Sequence, residues 1–370
     1  MNVPFLDLGR TTRRLQPELD RRWRGILESN AFVLGREVKE FEQAFAAYLG
    51  VEACAGLGNG TDALILPLRV LGLRPGDEVL VPAFSFFATA ESVSLVGGVP
   101  VFVDVDPETL NLDPADAAAR ITDRTVGMIG VHLYGRPFDV GQILRVCGCH
   151  GLWLIEDAAQ AHGARWRGKR VGGFGRIAAW SFYPTKNLGC FGDGGAVTGN
   201  EPVLVERTRR LGNHGQSERY THQEIGTNSR LDSLQAAVLN CRLALLEEDN
   251  ARRRAIAARY AERFAGVGDL RIPPDRPEVE SVYHQFTIRT ERRDALLAHL
   301  AAQGIGAGIH YPSPLHHQPA FAKMFADGPL PDLPVATAAA QEVVCLPIFP
   351  ELTDDEVEAV ADAVVAFYGA

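Results

Sequence analysis

Short apolar runs alternate with longer amphipathic segments through the first half of the chain. Five runs rich in β-branched and other apolar residues predict buried strands, at residues 78–82, 99–103, 126–131, 152–155 and 177–180. The segments between them have room for crossover helices, at residues 88–97, 113–121 and 139–150. This alternation is typical of an α/β fold in which helices cover both faces of a mainly parallel central sheet.

Helical periodicity dominates the two ends of the chain. Residues 12–29 and 37–49 predict two N-terminal helices, and residues 203–265 are helical apart from a polar, glycine-bearing interruption at 213–230. A loop of that length usually covers a site or reaches a partner. The proline-rich residues 272–277 indicate a domain boundary.

A smaller α+β domain is expected after that boundary. Residues 282–288 alternate as a strand, and residues 291–303 and 353–368 have helical patterns. We therefore predict a large domain with its N-terminal helices at 1–265 and a small C-terminal domain at 266–370.

Composition restricts the classes of function. The 370 residues are 46% hydrophobic and 22% charged, which is ordinary for a globular protein. A net charge of −9 without a basic run argues against nucleic-acid binding. With no apolar run of about 18 residues and no basic leader, we expect a cytoplasmic protein without membrane contact. The six cysteines lack paired spacing, so free thiols are expected and a metal site is not.

Lysine is scarce, which draws attention to Lys186. The 37 basic residues include only four lysines, at positions 39, 169, 186 and 323. Lys186 lies shortly after the predicted strand at 177–180 and is followed by glycines. Lysine can form an imine with an aldehyde, whereas arginine cannot. An isolated lysine is more often a surface ammonium, so its surroundings must decide.

Those surroundings collect polar groups at one edge of the predicted sheet. Phe86, Asp157, Gln160 and residues 181–186 all follow strands, and ligands of such sheets gather at the carboxyl ends of the strands. Asp157 could equally be a helix N-cap. Residues 56–64 form a glycine-rich entry to a helix, which suits a phosphate, although an ordinary capped helix is the more common explanation of such a pattern.

Six segments together resemble one family, the DegT/DnrJ/EryC1/StrS sugar aminotransferases, which are fold-type I enzymes dependent on pyridoxal 5'-phosphate. The matching segments follow the family's order over essentially the whole chain, at residues 60–64, 156–163, 181–187, 192–195, 226–232 and 308–312. Family members with histidine in place of the lysine are dehydratases. Because Lys186 is intact, the resemblance implies transamination.

The resemblance also implies roles for individual residues. Lys186 would bind the cofactor covalently and then act as the general acid and base. Asp157 would bond the pyridine nitrogen, Gln160 the ring hydroxyl oxygen, and Phe86 would stack on the ring. The cofactor phosphate would be bound by Gly60, Thr61, Ser181 and, from a neighbouring subunit, Asn228. That last contact requires a homodimer with shared active sites.

Residues 131–135 and 308–312 look like the branch that acts at C3 of nucleotide-linked 3-keto-6-deoxyhexoses. The implied substrate is a dTDP-linked 3-keto sugar with glutamate as amino donor, and the substrate-binding residues would be Tyr183, His310 and Tyr311. Alternatives are a 4-keto sugar nucleotide, a keto-cyclitol or an aminobenzoate precursor as acceptor. A regulatory protein that binds the cofactor without turnover is a further alternative, against which the intact Lys186, Asp157 and Gln160 argue.

Overall fold

The computed structural model describes residues 2–325 and 330–369, and its centre is a seven-stranded sheet. The strands of this sheet lie in the order β1-β9-β8-β5-β4-β2-β3. In chain order, the strands of the fold are β1 (Ala53–Leu57), β2 (Glu78–Pro82), β3 (Val99–Val103), β4 (Thr125–Val131), β5 (Trp153–Asp157), β6 (Arg165–Trp166), β7 (Lys169–Arg170), β8 (Ile177–Ser181), β9 (Gly195–Gly199), β10 (Gln216–Glu218), β11 (Thr221–His222), β12 (Val279–Glu280), β13 (Phe286–Arg289) and β14 (Val343–Leu346).

Helices cover this sheet and build most of the remaining structure. Their bounds are α1 (Leu8–Ser29), α2 (Arg36–Leu49), α3 (Asp62–Val70), α4 (Ala88–Leu95), α5 (Pro114–Ala119), α6 (Val140–His150), α7 (Pro202–Gly212), α8 (Ser233–Leu243), α9 (Leu246–Phe264), α10 (Arg293–Ala302), α11 (Pro334–Glu342) and α12 (Asp354–Tyr368). None of the described helices is long and apolar enough to cross a membrane.

The predicted parallel sheet is confirmed, and two further strands extend it. Strands β3, β2, β4, β5 and β8 run parallel to one another, whereas β9 runs antiparallel to both β8 and β1. Strands β1 and β9 carry no clear strand pattern in the sequence, because they consist mainly of alanine, glycine and other small residues. Such residues have little intrinsic strand preference, so burial between neighbours determines their conformation.

Aromatic packing by helix α2 supports the strand that precedes Lys186. Phe45 contacts the ring of Trp180 edge-on with centroids 5.1 Å apart, and Phe41 contacts Phe182 in the same way at 5.2 Å. All four rings are completely buried, and edge-to-face pairs add stability beyond the burial of their area. The indole of Trp180 also donates a hydrogen bond to Thr198 of β9 over 2.8 Å. The end of β8 is therefore firmly held.

The C-terminal part of the chain has its own core around β13, β14, α10 and α12. Val3 and the second half of α9, through Ile256 and Tyr260, pack into this core. The boundary at 265/266 remains a prediction.

The strand predicted at 282–288 is wrong in its first half, because β13 begins only at Phe286. Tyr283 adopts a left-handed conformation with φ of 44°, which a strand cannot contain. Val282 donates a backbone hydrogen bond to Gly135 over 3.0 Å instead of pairing in the small sheet. The chain therefore turns towards the segment after β4 before it enters β13.

The polar interruption at 213–230 contains a short hairpin of β10 and β11. Glu224 anchors it, because its carboxylate accepts hydrogen bonds from Arg207 and Arg210 of α7 over 2.6 and 2.7 Å. These contacts fix the second half of the segment to α7, and Asn228, four residues after Glu224, is exposed.

Candidate active site

A cavity of about 530 Å³ opens at the carboxyl ends of β4, β5 and β8. Ten of the eleven residues selected from the sequence line it, namely Gly60, Thr61, Phe86, Asp157, Gln160, Ser181, Tyr183, Lys186, His310 and Tyr311. The eleventh, Asn228, lies outside this cavity. The cavity also receives side chains from the C-terminal part of the chain, at His284, Gln285, His310 and Tyr311.

Lys186 lies in the loop after β8, and the buried Arg242 holds that loop in place. The Arg242 guanidinium donates hydrogen bonds to the carbonyl oxygens of Gly189 at 2.9 Å, Lys186 at 3.1 Å and Pro184 at 3.3 Å. Burial lowers the pKa of Lys186 to about 8, although the nearby Asp157 carboxylate opposes this effect. A substantial fraction of the amine is therefore neutral near physiological pH, as a nucleophile requires.

Asp157 is the last residue of β5 and is buried beside the same cavity. Its Oδ2 accepts a hydrogen bond from Thr89 Oγ1 over 3.0 Å, and its Oδ1 accepts one from the backbone amide of Ala159 over 3.2 Å. Burial raises the pKa of Asp157, while these hydrogen bonds and the charge of Lys186 oppose the rise. No helix follows Asp157 directly, so the helix N-cap explanation is wrong.

The edge of the cavity near α3 has the character of an anion site. A Cβ atom added to Gly60 would lie 2.6 Å from Cβ of Ser181, so only glycine permits this close approach. Within the described ranges, the backbone amides of Gly60 and Thr61 donate to no protein acceptor. Asn59 rather than Thr61 accepts a hydrogen bond from the Asp62 amide, over 2.8 Å. Two amides and two hydroxyls therefore remain available at a helix N-terminus.

Gln160 connects two segments on the opposite side of the cavity. Its Oε1 accepts a hydrogen bond from the backbone amide of Tyr134 over 2.6 Å, and its Nε2 donates to Tyr311 Oη over 3.1 Å. The hydroxyl of Tyr134 donates to the carbonyl oxygen of His310. Segments 131–135 and 308–312 therefore meet here, and Nε2 of Gln160 retains one proton for a ligand.

Two aromatic side chains lie at the mouth of the cavity. Phe86 is 56% exposed and Tyr183 is 53% exposed, and the Phe86 ring is 6.1 Å from that of Tyr311. Exposed aromatic surface of this kind is available to stack on a planar ligand.

Several residues of the site were not selected from the sequence. Asn59, Ser85, Thr185, Asp193, His284 and Gln285 also line the cavity. Thr89 does not line the cavity, but it affects the site through its hydrogen bond to Asp157. Asn59, Thr185 and Asp193 belong to motifs that were recognised, so these motifs could have identified them as site residues. His284 and Gln285 lay within the wrongly predicted strand, and nothing in their pattern indicated a site.

Comparison with known proteins agrees with this arrangement. Residues 14–365 match the DegT/DnrJ/EryC1/StrS aminotransferase family. DesV from S. venezuelae, solved in complex with a ketimine intermediate, superposes with a TM-score of 0.96 and 46% identity, covering 100% of this chain and 99% of that one. The fold is that of fold-type I pyridoxal-phosphate transferases. The chain belongs to the DegT/DnrJ/EryC1/StrS aminotransferase family, so the predicted family and enzyme class are confirmed.

Two curated relatives carry different kinds of name. The dTDP-3-amino-3,4,6-trideoxy-alpha-D-glucose transaminase of Streptomyces venezuelae is 47% identical, covering 98% of this chain and 95% of the relative. The pleiotropic regulatory protein of Geobacillus stearothermophilus is 44% identical, covering 100% and 99%. Similarity at this level therefore extends to a named transaminase and to a named regulator.

Proposed function

We propose that the protein uses pyridoxal 5'-phosphate to transfer an amino group from glutamate to a nucleotide-linked 3-keto-6-deoxyhexose. The observation that carries this proposal is the placement of Lys186 and Asp157 in one cavity beside an anion-binding edge. A pyridoxal-phosphate enzyme requires three elements, namely a lysine, a carboxylate and a phosphate site.

The residues present fit this cofactor. Amides and hydroxyls at Gly60, Thr61 and Ser181 would bind its phosphate, and the absence of a Cβ at Gly60 leaves space for close approach. Lys186 would bind its aldehyde, Asp157 its ring nitrogen and Gln160 its ring hydroxyl. Phe86 would stack on the ring. Asn228, exposed and outside this cavity, would reach the phosphate of the partner's site in a homodimer.

When bound, the cofactor supplies an aldehyde that accepts an amino group and a ring that spreads the electrons of a broken C–H bond. Lys186 Nζ removes the α-proton of the amino donor. In the second half of the cycle it returns a proton to the sugar carbon that receives the amino group. Asp157 holds a proton on the ring nitrogen through its carboxylate, which Thr89 and Ala159 orient. Asp157 is buried at the base of the cavity, whereas Lys186 is half-buried in its wall, where its amine can reach a ligand.

The sugar would lie against Tyr183, His310 and Tyr311, whose polar atoms suit hydroxyl groups. A nucleoside diphosphate supplies remote binding energy that holds the keto carbon against the aminated cofactor, so a free hexose should be a poor substrate. The name of the Streptomyces venezuelae relative supports amination at C3.

Two half-reactions test the proposal. Glutamate should convert the holoenzyme to the aminated cofactor form, and the change in absorbance of the cofactor measures this conversion. A thymidine-diphosphate 3-keto-6-deoxyhexose should then restore the aldehyde form far faster than the 4-keto isomer, because moving the carbonyl by one carbon misaligns it with the amine. A faster reaction with the 4-keto isomer or a keto-cyclitol would refute C3 specificity and leave the aminotransferase reaction intact.

A regulatory function without turnover is the second candidate, and the name of the Geobacillus stearothermophilus relative favours it. A non-catalytic protein would bind the cofactor but leave the absorbance of the cofactor unchanged when any amino donor is added. The lowered pKa of Lys186, whose side chain lines the cavity, argues for turnover, because a binding role needs no reactive amine.

A further inference from the structure

His284 lies in the wall of the cavity and has no role in the family resemblance described above. It lines the cavity near Lys186 and is 7% exposed. The preceding residue, Tyr283, has a left-handed backbone conformation with φ of 44°. Unfavourable backbone conformations of this kind persist where the surrounding structure imposes them, often at functional sites. The backbone therefore turns His284 out of the β13 register and into the site.

A chain of hydrogen bonds fixes the orientation of the neighbouring Asn187. Nδ2 of Asn250 donates to the carbonyl oxygen of His162 over 2.8 Å, so Oδ1 of Asn250 must be the acceptor that faces Asn187. Nδ2 of Asn187 donates to that oxygen over 3.0 Å and to the carbonyl oxygen of Val282 over 2.9 Å. Both amide protons of Asn187 are thereby used, and its Oδ1 can only accept.

This orientation sets the tautomer of His284. Nδ1 of His284 lies 3.3 Å from Oδ1 of Asn187, so Nδ1 must carry the proton in that contact. In a neutral imidazole the other nitrogen, Nε2, then carries a lone pair. Burial, the charge of Lys186 and the charge of Arg253 hold the pKa of His284 well below its ordinary value, which keeps the ring neutral.

Nε2 of His284 is therefore an acceptor that awaits a donor. In the part of the chain that the structure covers, the ring makes a single hydrogen bond, through Nδ1. His162 is different, because both of its ring nitrogens are fully buried without a partner. Nε2 of His284 is not among the fully buried unpaired atoms, and His284 lines the cavity, so a bound ligand can reach this nitrogen.

We propose that His284 is a specificity-determining residue whose Nε2 accepts a hydrogen bond from a hydroxyl group of the sugar substrate. The inference rests on the proposed function, since it concerns the substrate of the same cavity. A hydroxyl group is a better donor here than an ammonium group, because the positive charges of Lys186 and Arg253 would repel a cation at His284. A sugar without the matching hydroxyl would leave a buried acceptor unpaired and bind more weakly.

Two substitutions separate the two nitrogens of the ring. His284→Asn retains a donor near the position of Nδ1, and therefore the contact with Asn187, but removes Nε2. His284→Gln places an amide near the position of Nε2 and gives up the Nδ1 contact. His162→Phe is the matched control, because it removes a nearby buried imidazole that makes no side-chain hydrogen bond in the described structure.

Calorimetric titration of the holoenzymes with thymidine diphosphate, dTDP-glucose and dTDP-glucose analogues that each lack one hydroxyl tests the inference. His284→Asn should weaken dTDP-glucose about three- to tenfold, as expected for one hydrogen bond. His284→Asn and the wild type should bind equally the one deoxy analogue that lacks the contacted hydroxyl, and they should also bind thymidine diphosphate equally. His284→Gln should recover part of the affinity, and His162→Phe should bind as the wild type does.

Two results would overturn the inference while leaving the proposed function intact. One is wild-type affinity of His284→Asn for every ligand. The other is an equal loss for thymidine diphosphate and all sugars, which indicates a general structural change. If the wild-type holoenzyme itself bound no dTDP-sugar, the proposed substrate class would be rejected, and this inference with it. Circular dichroism and the thermal midpoint establish that each variant is folded.

Discussion

The hydroxyl of Thr89 donates a hydrogen bond to Oδ2 of Asp157 over 3.0 Å, and Ser85 Oγ lies 2.9 Å from the same hydroxyl. Threonine has one hydroxyl proton and gives it to the carboxylate, so Ser85 must be the donor in the second contact. This short relay stabilises the ionised form of Asp157 against the effect of burial, which raises its pKa. Ser85 and Thr89 thereby position a carboxylate on which the proposed chemistry depends.

Thr89→Val should keep the shape of the side chain and remove the donor. The pKa of Asp157 should then rise further, so the carboxylate becomes protonated at a higher pH as the solution is acidified. We expect the acidic limb of the kcat/KM profile to move to higher pH. Ser92→Ala is a suitable control, because Ser92 is buried on the same helix and donates only to a backbone carbonyl. Coincident profiles for Thr89→Val and the wild type would contradict this role.

Asp157→Asn should leave the ring nitrogen of the cofactor largely unprotonated. Loss of the electron sink should slow the chemical step by several orders of magnitude, more than about 4 kcal/mol in the activation free energy. Single-turnover absorbance with glutamate measures this step directly. Asp113→Asn controls for loss of a carboxylate at a helix N-cap remote from the cavity. Near-normal single-turnover rates in Asp157→Asn would show that the assigned role is wrong.

The lowered pKa of Lys186 predicts how the apoprotein takes up pyridoxal phosphate at different pH values. Only the neutral amine attacks the aldehyde, so the covalent uptake rate should rise through pH 8 and then level off. At pH 7 about one lysine in ten would be neutral, compared with about one in three thousand at an ordinary pKa. Stopped-flow absorbance gives the rate, and Lys186→Ala gives the background. A rate that still rises steeply above pH 10 would contradict the burial effect.

Reduction by borohydride should attach the cofactor permanently to Lys186 in the wild-type holoenzyme. Peptide mapping identifies the labelled residue, and label on the exposed Lys169 instead would disprove the assignment. Lys186→Arg should keep the positive charge and lose turnover, because a guanidinium cannot form the imine. Lys169→Arg, the matched control, should retain both labelling and activity.

Shared active sites predict complementation between two inactive proteins. A homodimer of Lys186→Ala lacks the amine, and one of Asn228→Asp places a negative charge against the partner's bound phosphate. After subunit exchange of equal amounts, about half of the dimers are mixed, and each has one intact site, so about a quarter of the wild-type activity should return. Native mass spectrometry verifies the exchange. Verified mixed dimers without activity would place Asn228 in its own subunit's site or in none.

The residues that could be predicted from the sequence are those that follow strands with a clear apolar pattern. Asp157 and Lys186 belong to this group, because the carboxyl ends of parallel strands share one edge. Gly60 could be selected by its motif, but its close approach to Ser181 depends on packing between segments that are far apart in sequence. His284 was missed because the left-handed Tyr283 breaks a pattern that reads as a continuous strand.

The missed strands have the same kind of cause. β1 and β9 are strands because their neighbours bury them, and the strand propensity of their own residues is too low to predict them. In the proposed homodimer, the position of Asn228 relative to the site would depend on a second subunit, and a single chain's pattern contains no information about that distance.

The antiparallel pairing of β8 with β9 also has a consequence for the order of folding. Residues 182–194 connect these two strands, so closing the loop that contains Lys186 costs less conformational entropy than the longer connections that bring 308–312 to the cavity. Contacts between residues close in sequence generally form early. One wall of the cavity can therefore assemble from the contiguous residues 177–199, while the opposite wall must wait for a segment made more than a hundred residues later during synthesis.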